Sequence, residues 1–119
     1  MNNETIQAKA IGKYIRLSTH KVRRVLEQIQ GKNYADAKLM LQFMPYRACK
    51  TILKILDSAI NNAKQSTSSE IKIQNFKIAK AIANKGPTMK RFQARAQGRA
   101  FPIQKPTCHI QITVEAQII

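Results

Sequence analysis

Arg91, Arg95 and Arg99 recur at every fourth position, so in an extended segment they share a parity and present their guanidinium groups along one side. The planar guanidinium fork pairs bidentately with phosphate and stacks on bases. Met89, Phe92 and Phe101 are interleaved with these cations, and aromatic faces stack on unpaired bases. Ala94, Ala96, Gly98 and Ala100 keep the segment thin enough to thread between the helices of a folded RNA. Read without further context, such a segment is either a polyanion-binding arm or a disordered basic loop. A second cluster, Lys21, Arg23 and Arg24, follows Ser18 at a helix start, where exposed N–H groups also favour anions. Its plainer reading is a solvated helix face.

Charge favours the binding readings. The 119 residues carry 21 Lys+Arg against 6 Asp+Glu, a formal net charge of +15. This much like charge opposes compaction of the free protein and favours a polyanionic partner. Residues 1–70 have a net charge of +7 and the shorter stretch 71–119 has +8. No acidic residue falls between Glu70 and Glu115, whereas nine lysines and arginines do. A solvated face normally mixes signs.

Other chemistries find little support. Cys108 and His109 are neighbours, but consecutive strand residues point to opposite faces, so they cannot act as nucleophile and base for one another. The carboxylates show no acid and base pairing, and no phosphate-binding glycine loop or metal-ligand spacing occurs. Neither an enzyme nor a cofactor or metal is expected, and Cys49 and Cys108 are too isolated to argue for a structural disulfide. No apolar run approaches the roughly 20 residues of a membrane-crossing helix. The opening Met1-Asn2-Asn3-Glu4-Thr5 has neither secretory nor transit layout, which predicts synthesis in the compartment where the protein works.

The elements that must position the cations follow from periodicity. Ser18 caps a helix whose apolar positions Val22, Val25, Leu26 and Ile29 run to a stop at Gly31. Asn33 caps a second, from Tyr34 to Met44, which Pro45 interrupts. In a third, Cys49, Ile52, Leu53, Leu56, Ala59, Ile60 and Ala63 form the apolar stripe, with Arg47, Lys50, Lys54 and Asp57 off it and a loop at Gln65–Ser69. The period then changes. Phe76, Ile78 and Ile82 share one strand parity with Lys80 interposed, and Cys108, Ile110, Ile112 and Val114 alternate with His109, Gln111, Thr113 and Glu115. A shorter strand is predicted over Lys9–Leu17, Ile15 and Leu17 facing one way and Tyr14 and Arg16 the other. The expectation is a single small α+β domain, three helices packed on a three-stranded antiparallel sheet. Its body would cover about residues 8–85 and 106–114. Residues 86–105 would form a β-hairpin arm turning near Gln97-Gly98, each side reaching on the order of 30 Å.

Gly86-Pro87-Thr88-Met89-Lys90-Arg91-Phe92, Arg95-Ala96-Gln97-Gly98-Arg99-Ala100 and Lys105-Pro106-Thr107-Cys108-His109-Ile110 together resemble the signature of the large-subunit ribosomal protein L22 family. Ser18-Thr19-His20-Lys21-Val22-Arg23-Arg24-Val25 and Ser58-Ala59-Ile60-Asn61-Asn62-Ala63 resemble the family's opening helix and the end of its long helix, so the likeness covers about residues 8–114 in the family's order. Met44-Pro45-Tyr46-Arg47-Ala48-Cys49 and the Lys105–His109 stretch are similar to the cyanobacterial and plastid branch.

The resemblance implies a structural protein of the large subunit. Its body would bind ribosomal RNA near the exit of the nascent-polypeptide tunnel, beside neighbouring subunit proteins, with an early part in assembly. Its arm would run inward so that Met89, Lys90, Arg91, Phe92, Arg95, Ala96, Gln97, Gly98 and Arg99 line the tunnel and meet the nascent chain. It also implies RNA contacts at Arg16, His20, Lys21, Arg23, Arg24, Lys85, Lys90, Arg91, Arg95, Arg99, Lys105 and His109. The expected location is the ribosome of a plastid stroma or of a bacterial cytoplasm. Gln93-Ala94 stands where this branch often has Arg-Pro, and Gln97 where many bacterial members have Lys, changes that remove charge and a fixed φ from the tip. Two other classes share the charge pattern: an architectural DNA-binding protein with basic ribbon arms, marked by a preference for duplex DNA, and an RNA-binding regulator abundant off the ribosome.

Overall fold

The computed structural model describes residues 4–65, 75–94 and 100–118. Among the described residues, five strands and three helices follow one another as β1 (Glu4–Ile15), α1 (Thr19–Ile29), α2 (Tyr34–Phe43), α3 (Ala48–Gln65), β2 (Lys77–Lys85), β3 (Met89–Ala94), β4 (Ala100–Lys105) and β5 (Cys108–Ile118). β5 is the central strand of an antiparallel sheet of order β1-β5-β2, while β3 and β4 pair only with each other. This is the expected α+β architecture with its two-stranded arm.

β5 takes the centre because its β-branched side chains alternate without interruption. Cys108, Ile110, Ile112 and Val114 are fully buried, and the intervening residues, from His109 to Glu115, are half-buried on the outer face. The helices cover the inner face, α3 lying across β1 and β5 and α1 against β2. Val22, Val25, Leu26 and Ile29 of α1 meet Ile52, Leu56, Ala59 and Ile60 of α3 in one continuous core. Each large side chain so buried contributes about 1.5–3 kcal/mol. The α3 stripe includes the buried Ile55, which the periodicity omitted. Gly31 has φ +83°, a conformation that favours glycine, and its N–H donates to the Ile78 carbonyl, fastening the α1–α2 connection to the sheet edge.

Two sequence expectations need correction. Ile82 does not share the face of Phe76 and Ile78. The β2–β5 register shifts between Ile78 and Lys80, so Ala81 and Ala83 point into the core and Ile82 is exposed. One extra residue in a strand reverses the parity of everything after it. The N-terminal strand runs from Glu4 to Ile15, starting earlier and ending sooner than Lys9–Leu17. Its core-facing Ala8 and Ala10 are too small to give a strong alternation. Ile15 and Leu17 do turn inward, half-buried, while Tyr14 and Arg16 are exposed. A second register shift, between Gly12 and Ile15, accompanies φ 55° at Tyr14. Of the predicted Gln65–Ser69 loop, Gln65 is the last residue of α3 and the rest lies outside the described residues.

α2 and α3 are tied by Tyr34, whose buried hydroxyl donates to Asp57 Oδ1 at 2.5 Å. Burial first, and then the Asp57 carboxylate, push the Tyr34 pKa up from 10.0 to about 12. A raised folded-state pKa means that the neutral phenol stabilises the fold fully below pH 10 and that this contribution disappears as pH rises toward 12, a loss on the order of 2 kcal/mol. Denaturant titrations at pH 9 to 12 should therefore show the wild-type protein losing stability more steeply than Tyr34→Phe. Parallel curves would exclude the linkage.

Candidate nucleic-acid interface

The molecule measures 73 × 25 × 18 Å with a radius of gyration of 17.9 Å, against about 13.5 Å for a compact chain of this length. The arm accounts for the excess. Its ladder pairs Met89 with Lys105 and continues to Ala94 with Ala100. Both strands are edges, which tolerates Pro102 in β4. A two-stranded ribbon on its own is marginal in water. Lys90, Arg91, Met89 and Phe92 therefore lie on β3. Arg95, Ala96, Gln97, Gly98 and Arg99 lie outside the described residues.

The arm leaves the body through a fixed joint. The Gly86 N–H donates to the Thr107 carbonyl at 2.9 Å, and the buried Thr107 hydroxyl donates to the Pro87 carbonyl. A Cβ at Gly86 would stand 2.6 Å from Thr107 Oγ1, so the two segments approach this closely only with glycine there. Lys85 and Lys105, both exposed, end β2 and β4 on either side of this joint.

A second cationic region opens beside it. A cleft of about 650 Å³ is bounded by the β1–α1 connection, the first turns of α1, the α2–α3 connection and Pro106. Arg16, His20, Lys21 and Arg24 all line it, so the fold brings these four predicted residues together. Arg47 of the α2–α3 connection also lines it, next to the exposed Tyr46. Leu17, Val22 and Ala48 supply an apolar floor. Periodicity marks Arg47 only as lying off the α3 stripe and gives Tyr46 no role. Their partners in the cleft are more than twenty residues away in the chain, beyond the reach of any spacing rule.

Arg23 and His109 are placed differently. Arg23 Nε donates to the Ala83 carbonyl at 3.0 Å, which ties α1 to β2 and leaves the other guanidinium donors to reach outward. His109 Nδ1 accepts from the Tyr14 N–H at 3.1 Å, and the two rings meet edge to face at 4.9 Å. The neutral ring then carries its proton on Nε2, so His109 clasps the β1 irregularity and keeps one donor. Cys49 and Cys108 are free and buried. Burial pushes both thiols up, which disfavours the reactive thiolate. Among the described residues no three His, Cys, Asp or Glu side chains group as metal ligands, and no helix is long and apolar enough to cross a membrane.

The family model described as "Ribosomal protein L22p/L17e" matches residues 10–115. The chain belongs to the ribosomal protein L22 family. This family consists of structural ribosomal proteins and not of enzymes. Among curated relatives, "Large ribosomal subunit protein uL22c" of Porphyra purpurea is 62% identical over 108 residues, 91% of each chain. The protein of the same name from Gracilaria tenuistipitata is 58% identical over 114 residues, 96% of this chain and 97% of its own. "Large ribosomal subunit protein uL22" of Synechococcus sp. (strain JA-3-3Ab) is 51% identical over 96% of this chain and 91% of its own. The L22 signature therefore includes both the arm strands and the segments that form the cleft, and its named relatives are plastid and cyanobacterial.

Proposed function

We propose that this L22-family chain is a structural constituent of the large ribosomal subunit, in a plastid stroma or a bacterial cytoplasm, that binds large-subunit RNA and supports early subunit assembly. Its body grips RNA through the α1 face, the cleft and Lys85 and Lys105, beside neighbouring subunit proteins. Its arm threads inward, with Met89, Lys90, Arg91, Phe92 and residues 95–99 lining the nascent-polypeptide tunnel. The observation that carries this reading is the arm itself: a narrow two-stranded ribbon without acidic residues in a chain of net charge +15. Phosphate contacts supply most of the affinity and the shape of the folded RNA supplies specificity.

The test is sedimentation of a lysate through a gradient at roughly 0.5 M salt, which screens exposed phosphate contacts. The full-length protein is expected to stay with the large subunit. Deletion of residues 89–100 should leave the helical circular dichroism intact, because the body packs a continuous core of its own from the described residues of all three helices and the three-stranded sheet, while large-subunit precursors accumulate. Release of the full-length protein, or its migration with DNA, would overturn the proposal.

A further inference from the structure

The cleft is built for more than phosphate. A phosphate needs cations and N–H donors, and apolar surface contributes nothing to it. Here the cations stand on the rim while the floor is Leu17, Val22 and Ala48, with Tyr46 beside it. Tyr46 is 44% exposed, an aromatic residue left accessible at the cleft. Pro45 and Pro106 also line it, and their rings stiffen the backbone there. The volume of about 650 Å³ lies within the range of small-ligand pockets.

The geometry points to a site for one unpaired ribonucleotide of the large-subunit RNA, its base laid on the apolar floor against Tyr46 and its flanking phosphates held by Arg16, Lys21, Arg24 and Arg47. This rests on the ribosomal reading above and deepens it. A base inside an RNA helix cannot reach a recessed floor, because the groove that displays base edges is wide and shallow and the bases are stacked. A nucleotide from a bulge or loop enters at least cost, since it has no pairing to give up. The same rim disfavours a basic segment of a neighbouring ribosomal protein. His20, which also lines the cleft, offers a hydrogen-bonding group to a bound base.

Large subunits carrying wild-type protein, Tyr46→Phe or Tyr46→Ala would be probed with dimethyl sulfate and a carbodiimide, and base reactivity read by primer extension. One unpaired base should be protected in wild type and in Tyr46→Phe, which keeps the ring, and gain about ten-fold reactivity in Tyr46→Ala. The same pattern in all three, or the same change in both variants, overturns the site. If Tyr46→Ala fails to enter subunits, irradiation of wild-type subunits with short-wavelength ultraviolet decides. A nucleotide adduct on the peptide bearing Tyr46 supports the site, and adducts confined to other peptides refute it. Absence of the wild-type chain from the subunit would instead strike the ribosomal reading itself.

Discussion

Reversing Lys90, Arg91, Arg95 and Arg99 to glutamate is expected to weaken binding to large-subunit RNA on the order of a thousand-fold near physiological salt. The substitution takes the net charge from +15 to +7, and all of the change falls within ten consecutive residues, 90–99. Each phosphate contact that is lost should lower the slope of log affinity against log salt by about 0.7–0.9, so the four together should remove roughly 3 from it. Removing residues 1–7 serves as the control. That segment holds Glu4 and no lysine or arginine, and its loss should leave both affinity and slope nearly unchanged. The two effects are read from the same filter-binding titrations, with circular dichroism showing that the helices persist. Equal losses from the two changes would refute the arm as the main contact.

The parts of this fold that periodicity reveals are those where large apolar side chains carry the pattern. α1 and α3 present full stripes of Val, Leu and Ile, and β5 alternates Ile and Val with polar residues, so each declares its period and its buried face. The N-terminal part of β1, before Lys9, is hidden because its inward residues include the small Ala8, followed by Ala10, which leave nearly the same trace as a loop. The parity of β2 is misread because a bulge near Ala79 has no sequence mark: no glycine or proline stands there. The arm is legible from composition, since residues 86–105 combine Pro, Gly and five cations with few large apolar side chains. The cleft was only half legible. Lys21 and Arg24 cluster in sequence, but Arg16 joins them through the turn before α1, and Arg47 and Tyr46 come from another connection altogether. A site assembled from three separate segments exists only once the core has packed them together.

Phe76→Ala should be the most damaging single substitution in the body. Phe76 is fully buried and heads the residues with the largest completely enclosed side chains. Its carbonyl accepts the Tyr34 N–H at 2.9 Å, and the adjacent Lys77 pairs with Asn33 in an isolated bridge. The ring therefore fills the place where the start of β2, the α1–α2 connection and the head of α2 converge. Truncation removes its transfer free energy and leaves a cavity that three tethered segments cannot collapse to fill, a cost of about 3–5 kcal/mol. Against a total of about 5–15 kcal/mol, this should lower Tm by roughly 10–20 °C. Ile82→Ala, on the same strand, supplies the decisive comparison. Without the bulge Ile82 would sit in the core and its truncation would cost about 2–5 kcal/mol. With the bulge its side chain is 39% exposed and the expected loss is about 0.5–1 kcal/mol. Thermal unfolding of the two variants thus measures core packing and strand register together. A Tm loss for Ile82→Ala as large as that for Phe76→Ala would mean that β2 runs in the unbroken parity its sequence suggests.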